Sequence, residues 1–391
     1  MMKVLAKKKA SYARTIVSIL IKISLISLLS LIPNILPREW AEYYCGYIYE
    51  YVSFIPFSIT NMLHFSLTEL VVVVGGIMLL AGIIVFIVTF IKKAISGGAV
   101  RYLLNVLCPV LSVVLVIAIF FDLMLGIGYR RKPVSQYFKL ARGDYSYEDY
   151  LSVLDWSYKG MVKARAKIGE DYMGVGHTSR SFEDNARYAN SLIDAFALKY
   201  EIPMSAAFIR SKPVAGSHVW SMTGIVGCFD PVLAESNINT DYMDITSFPV
   251  TLCHEICHAK GLAREGDCNL VASLACIHSK DKEFSYAGYY YIFMNLYPVV
   301  KEYAEHEGKD FPDYFSYGSA YPVVRDINAS DAYWDYIHGT AFARFIHDMG
   351  TRINNIYLRS NGQKGGVESY HVPDNVYVDF YMTYLKGETN D

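Results

Sequence analysis

The sequence has almost no net charge. Its 391 residues include 36 lysines and arginines against 38 aspartates and glutamates, a formal charge of -2. A protein that binds nucleic acid needs a basic face to neutralise phosphates. The charge balance therefore argues against a nucleic-acid partner, and it leaves the oligomeric state open.

Cysteine is also scarce. The seven cysteines form no CxxC pair, and Cys108 lies inside a long apolar run. An odd number in this arrangement argues against a disulfide framework. Cys253 and Cys257 stand one helical turn apart beside two histidines, so soft metal ligation is an alternative for them. We predict instead that both are small, buried apolar side chains.

Internal repeats and low-complexity tracts are absent, whereas long apolar runs fill the first third. Three runs, at about residues 16–36, 70–91 and 103–121, reach the roughly 20 residues that a helix needs to cross a bilayer. We predict three transmembrane helices, with the lipid bilayer as a partner and Lys22 snorkelling to the interface. A cleaved signal peptide is the alternative for the first run, but no clear small-residue cleavage site follows it.

Basic residues set the predicted orientation, because loops rich in lysine and arginine stay in the cytoplasm. The N-terminal stretch and the loop after the second run are both basic, through Lys3, Lys7, Lys8, Lys9, Arg14, Lys92, Lys93 and Arg101. Arg130, Arg131 and Lys132 favour the opposite orientation more weakly. We predict a protein of the cell membrane with a membrane domain at 1–127 and an extracytoplasmic domain at 128–391.

The loop between the first two runs is dense in aromatic residues, WAEYYCGYIYEYVSFIPF at positions 40–57. Tyrosine and tryptophan favour the headgroup region of a membrane. The loop is therefore predicted either to lie along the membrane surface or to pack on the external domain.

The external region reads as an α+β domain. Helical periodicity runs through SYEDYLSVLDWSYKGMVKARAKIG and SFEDNARYANSLIDAFALKY, the second with Ser181 as N-cap. The stretches AAFIRSKPV and HVWSMTGIVGCFDPV are predicted to form two strands of a hairpin-like sheet. Mostly helical sequence follows.

The stretch TLCHEICHAKG contains the candidate metal ligands and the candidate general base. Residues four apart share one face of a helix, so His254 and His258 are placed to grip one zinc ion, the predicted cofactor. Glu255 is placed to act as general base on water that the metal acidifies. Pro249 in the first turn, with Ser247 as a possible N-cap, and Gly261 just after the helix predict its ends. An ordinary amphipathic helix with two solvated histidines is the alternative.

A longer stretch, PVTLCHEICHAKGLAREGDCNLVASLAC, followed by FSYAGYY and SNGQKGGVESY, resembles the bacterial membrane family catalogued as domain of unknown function 3810. The resemblance covers most of the chain and implies three spans and an external, gluzincin-like zinc hydrolase, without a substrate. Lys260 and Cys268 depart from the expected pattern, but neither removes a ligand.

Glu265 and Asp267 compete for the position of third ligand. Gly261 permits the left-handed turn that brings the chain back to the metal. If the next helix starts near Glu265, then Asn269 lies on the same face and is placed to hold that carboxylate. Asp267 would lie on the opposite side and serve the helix dipole. We predict Glu265, in a layout that resembles the ExxxD element of gluzincins.

Two further elements are expected in a zincin. One is a donor to the oxyanion, for which the candidates are Tyr286, Tyr370 and His371. The other is an edge strand that binds an extended peptide by β-augmentation, predicted in HVWSMTGIVGCFDP. That strand could equally well only pack the sheet.

The leading hypothesis is a membrane-anchored zinc metallopeptidase that cleaves peptide bonds outside the membrane. A catalytically silent sensor that binds a peptide or cell-envelope ligand in the same cleft is the alternative. Intramembrane proteolysis is disfavoured, because FPVTLCHEICHAKG is too short to span a bilayer and lies far from the third apolar run.

Overall fold

The computed structural model describes residues 2–315 and 320–387. This part of the chain is mostly helical and includes one small sheet. The α-helices are α1 (Met2–Ile35), α2 (Arg38–Tyr43), α3 (Tyr49–Thr60), α4 (Leu67–Ile95), α5 (Ala99–Met124), α6 (Tyr147–Arg165), α7 (Phe182–Lys199), α8 (Ser217–Thr223), α9 (Phe248–Ala259), α10 (Glu265–Ile277), α11 (Lys282–Glu307), α12 (Tyr321–Ile337), α13 (Ala341–Ser360) and α14 (Asp374–Phe380).

Three of these helices are long and apolar enough to cross a membrane, as predicted. They are Tyr12–Ile35 within α1, all of α4 and all of α5. Lys22 Nζ donates to Cys108 O on α5 at 2.9 Å, and its snorkelling to the interface stays a prediction. The charge of this lysine is therefore solvated by a neighbouring helix, which explains how α1 accommodates it.

The aromatic loop forms α2 and α3, joined by one π-helical turn, and these have two different faces. Ala41, Cys45, Tyr49 and Phe57 are buried, and the Tyr49 hydroxyl donates to Ala259 O at 2.8 Å. The opposite face leaves exposed the side chains of Trp40, Tyr43, Tyr47, Tyr51, Phe54, Ile55 and Ile59. Packing on the domain is confirmed for the first face, while contact of the second face with a membrane surface stays a prediction.

The sheet has three strands: β1 (Lys212–Val214), β2 (Gly227–Asp230) and β3 (Glu235–Asn239). Their order is β1-β3-β2, with β3 parallel to β1 and antiparallel to β2. Each of the two predicted stretches contains a strand, β1 and β2, but the predicted hairpin is wrong, because the residues HVWSMT form α8 and the strand ESNIN lies between β1 and β2. The sequence ESNIN was not recognised as a strand because it is polar and yet entirely buried.

The polar strand is buried because it caps a membrane helix. The carboxylate of Glu235 accepts hydrogen bonds from the backbone nitrogens of Leu67 (3.1 Å) and Thr68 (2.7 Å) at the start of α4. It also pairs with the buried Lys212 ammonium, which in turn donates to Thr60 O at 2.7 Å. A negative charge stabilises the N-terminus of a helix, so this pair joins the sheet to the second span.

Helices α6 and α7 confirm the two predicted helices, and each has its N-cap. Ser146 and Asp149 form a capping box at α6, and Ser181 accepts from Asp184 N at α7. Helix α6 packs on α11, and α7 packs on α9, which also contacts α10, α11, β2 and β3. The motif helix is thus at the centre of the core.

Replacing Glu235 by glutamine tests the link between sheet and membrane helix. Removing one partner of a buried ion pair leaves the other charge uncompensated, so we expect Glu235→Gln to destabilise the fold by about 3 kcal/mol. Thermal unfolding of the full chain in detergent measures this. The matched control is Glu201→Gln, which removes a salt bridge with Lys139. Both side chains of that salt bridge are 81% exposed, so its loss should leave the melting temperature unchanged. Equal melting temperatures for all three proteins would contradict the account.

Candidate metal centre

Helix α9 begins and ends close to the predicted positions. Pro249 lies in its first turn, although the Ser247 side chain makes no capping hydrogen bond. Gly261 has a φ of +102°, the left-handed region that glycine adopts at little cost. The chain turns there and enters α10 at Glu265. His254 and His258 consequently face the first turn of α10.

Three side chains converge between α9 and α10. Glu265 Oε2 lies 3.1 Å from His254 Nε2 and 3.1 Å from His258 Nε2. The two Nε2 atoms are 3.0 Å apart. All three residues are buried. The structure therefore brings together the three residues that the sequence predicted as ligands.

The neighbours of the two imidazoles fix which nitrogen carries the proton. Asn269 Nδ2 donates to Tyr370 O at 2.7 Å, so Asn269 Oδ1 faces His254 Nδ1, also at 2.7 Å, and accepts from it. Leu262 O accepts from His258 Nδ1 at 2.9 Å. In the neutral rings both Nε2 atoms then carry lone pairs, and these point at the Glu265 carboxylate.

Three lone-pair atoms so close together repel one another unless a cation or a proton lies among them. For zinc with bonds of 2.0–2.2 Å, tetrahedral geometry puts neighbouring ligands about 3.3–3.6 Å apart, a few tenths of an ångström more than the observed 3.0–3.1 Å. Electrostatic interactions within the cluster also favour positive charge there, whether a proton or a metal ion. Burial opposes charge on Glu265, but His258 and His254 outweigh it and lower its pKa to about 2. Burial likewise opposes charge on His258, but Glu265 raises its pKa to about 9. The donor set thus fits a divalent metal ion.

Asp267, the competing acid, faces away from the cluster. Its Oδ1 accepts from Val134 N at 3.0 Å, and its Oδ2 pairs with Arg264 at 2.7 Å. Asn269 lies one turn after Glu265 as predicted, but it supports His254 rather than the Glu265 carboxylate. The helical spacing therefore identified the right face and the wrong partner.

Glu255 lies beside the cluster and not in it. Its carboxylate accepts a hydrogen bond from the backbone of Phe229 on β2, while its Oε2 is buried without a hydrogen-bond partner. Burial raises its pKa. A β-carbon at Gly227 would come within 2.6 Å of its Oε1, so β2 runs directly over this carboxylate. Because the strand order places β2 at one edge of the sheet, its outer side has no partner strand among the described residues.

The predicted oxyanion donors have different surroundings. The hydroxyl of Tyr286 is fully buried and donates to Asp326 Oδ2 at 2.8 Å, so it is already engaged in a structural contact. The ring of Tyr370 stacks on His254, with 6.1 Å between centroids, and therefore borders the cluster. The His371 side chain is hydrogen-bonded to Asp374 and Asn295 and is 44% exposed.

Two further tyrosines border the site and were not predicted. The hydroxyls of Tyr129 and Tyr357 are 3.1 Å apart. Burial raises the pKa of both, and the nearby Glu265 carboxylate raises it further. Tyr129 follows the third span and Tyr357 lies on α13, and no motif marks either residue in the sequence.

The cysteines near the motif are buried and do not contribute to the cluster. Cys253 contacts Cys276 at 3.8 Å between sulfurs, and Cys268 lies 3.4 Å from His258 Nδ1, the nitrogen that faces away from the cluster. Both Cys253 and Cys257 are buried, as predicted for small apolar side chains.

A family model described as "Protein of unknown function (DUF3810)" matches residues 44–374. No curated protein and no solved structure matches the chain. The match covers the second and third spans, the sheet, the cluster and α13, but the description of the family names no activity.

Exchanging each acid for its amide distinguishes the two candidates for the third ligand. We expect Glu265→Gln to weaken zinc binding by more than about 100-fold, beyond the 10–100-fold typical of residues behind the ligands. Asp267→Asn, the matched control, should change it by less than about tenfold, because that carboxylate faces Val134 and Arg264. Competition with a chelator measures both. Loss of zinc from the Asp267 variant alone would reverse the assignment.

Proposed function

We propose that this chain, which belongs to the DUF3810 family, is a membrane-anchored zinc metallopeptidase that hydrolyses peptide bonds outside the cytoplasm. The observation that carries the proposal is the convergence of His254, His258 and Glu265 beside Glu255, whose buried carboxylate has one unpartnered oxygen. The lysine and arginine distribution of the sequence supports the external placement.

His254, His258 and Glu265 would hold the zinc ion. When bound there, it supplies Lewis-acid polarisation of a carbonyl and acidifies water in the site. Asn269 and the Leu262 carbonyl orient the two imidazoles so that both Nε2 atoms face the ion. Such supporting contacts fix the tautomer of histidine ligands.

Glu255 is the proposed general base. It follows His254 in the chain, and its free oxygen is buried next to the ligand cluster. The carboxylate takes a proton from water as the peptide carbonyl is attacked, and returns it to the leaving amine. Its raised pKa helps it to hold that proton between the two transfers.

The outer edge of β2 is the proposed binding site for substrate. An extended peptide can add to a free strand edge through backbone hydrogen bonds, and one bound on β2 would pass over Glu255, which lies against Gly227. Tyr370, stacked on His254, is the better placed of the two predicted tyrosines to donate to the oxyanion.

A silent sensor with the same cleft is the alternative function. Burying an unpartnered carboxylate oxygen costs free energy, and a protein that only binds ligand has no evident use for Glu255 at that position. This difference favours hydrolysis, and the next experiment separates the two functions.

Glu255→Gln should keep zinc and lose activity. The amide cannot accept the proton, so hydrolysis of a quenched fluorogenic peptide library by the full chain should fall by at least about 100-fold. Zinc content, measured on the same samples, should equal that of the wild type, because the three ligands remain. Undiminished hydrolysis by the variant would place the base elsewhere. Zinc-loaded wild type that cleaves no peptide would support the sensor.

Gly227→Ala tests whether β2 positions the base. The new β-carbon would meet the Glu255 carboxylate at 2.6 Å, so the carboxylate must move. We expect a lower kcat with unchanged zinc content. The matched control is Gly76→Ala, a position with nothing within 4 Å, which should behave as the wild type. An unchanged kcat in Gly227→Ala would show that the strand does not position Glu255.

A further inference from the structure

Helix α13 exposes a narrow apolar strip along its length. Phe342, Phe345, Met349, Ile353 and Ile356 are between 40% and 71% exposed. At 100° per residue these five positions fall within about 80° of the helix circumference. Five large apolar side chains in one line form a continuous patch, and such patches mark binding surfaces.

The rest of the helix has two other faces. Ala343 and Leu358 are buried against the domain, whereas Arg344, Asp348, Arg352 and Arg359 are exposed. Arg352 and Arg359 lie next to the apolar strip on the helix surface. An apolar face bordered by arginine is typical of helices that lie in the headgroup layer of a membrane, where arginine pairs with lipid phosphates.

The C-terminal end of α13 contacts the domain-side ends of two spans. Tyr357 packs edge to face on Phe121, near the end of α5, with 6.1 Å between ring centroids. Just beyond the helix, a β-carbon at Gly362 would lie 3.3 Å from Asn34 Oδ1, near the end of α1. This end of α13 is therefore at the level where the spans leave the apolar layer.

The middle of α13 is connected to the second span, α4, through α8. A β-carbon at Gly350 would lie 3.0 Å from Thr223 O on α8. The start of α8 is held to α4, since Gly216 N donates to Glu69 Oε1 at 2.6 Å in the first turn of that span. The contacts of Tyr357 and Gly362 thus hold the C-terminal end of α13 near the ends of α5 and α1, and α8 connects its middle to the start of α4.

We propose that the apolar strip of α13 binds the lipid headgroup layer of the membrane that α1, α4 and α5 cross. The strip lies beside the ends of the spans, so it continues a surface that is already apolar. The exposed aromatic face of α2 and α3 adjoins the same ends and carries the tyrosines and the tryptophan typical of that layer. A second copy of the chain is the other occupant of such a strip, but it would not explain why α13 is held near the ends of α5 and α1.

The contact with lipid does not depend on zinc or on hydrolysis. Its consequence for substrate rests on the proposed function. The hydroxyl of Tyr49, on the inner face of α3, donates to Ala259 O at the end of the motif helix α9. If the outer face of α3 contacts lipid, α9 would lie about one helix diameter, roughly 10 Å, from the lipid. The peptide bonds within reach would then belong to juxtamembrane or lipid-anchored segments.

Photocrosslinking of the full chain in phospholipid nanodiscs tests the contact. A benzophenone amino acid is introduced in place of Phe342, Ile353 or Arg344, three exposed positions of the same helix. We expect lipid adducts by mass spectrometry from Phe342 and Ile353, and only background from Arg344, which lies 160–180° away around the helix. Equal yields at all three positions, adducts to a second copy of the chain, or no adducts would overturn the proposal.

A second measurement does not depend on the photoreactive residue. Ile353→Trp and Arg344→Trp place the added indole on opposite faces of the helix. Brominated phospholipid should quench the added fluorescence in the Ile353 variant and not in the Arg344 variant, and equal quenching would overturn the proposal. Because neither assay uses zinc or substrate, an inactive protein that crosslinks to lipid would leave this contact standing and reject only the proposed function.

Discussion

The repulsion among three lone pairs is the constraint on which this site depends. His254 Nε2, His258 Nε2 and Glu265 Oε2 lie within 3.1 Å of one another in a buried space. Asn269 and the Leu262 carbonyl hold one ring proton of each histidine on the far side, so both Nε2 atoms face the cluster with lone pairs when the rings are neutral. The cluster therefore favours positive charge at its centre, and we propose that a divalent ion supplies it.

Contacts from the membrane side hold the end of the motif helix. Tyr49 on α3 donates to Ala259 O, and Arg131, just after the third span, donates to Gly261 O at 3.1 Å. Gly128 packs closely on Ala263, with 3.0 Å between an added β-carbon and that side chain. The turn that brings Glu265 to the histidines is thus built against residues that adjoin the spans. The same contacts thus connect the three apolar helices to the geometry of the site.

Periodic features of the sequence predicted more than contacts between distant segments. The i, i+4 spacing of the histidines and the left-handed Gly261 follow from helix geometry, and they led to Glu265. The strand ESNIN was not predicted, because polar residues do not suggest a buried strand. Its polar side chains are stabilised by the start of α4, 160 or more residues earlier in the chain. Asn269 was assigned the wrong partner, because the helical period predicts which face of the helix a residue lies on but not which side chain it contacts there. Tyr129 and Tyr357 reach the site only through tertiary packing, which no local pattern encodes.

X-ray absorption at the zinc edge, recorded on the purified full chain, tests the central claim most directly. The account predicts a first shell of nitrogen and oxygen at about 2.0–2.2 Å with the multiple scattering of two imidazoles, and no sulfur. A sulfur shell near 2.3 Å would assign the metal to the cysteines instead. Absence of zinc from the folded protein would contradict the account altogether.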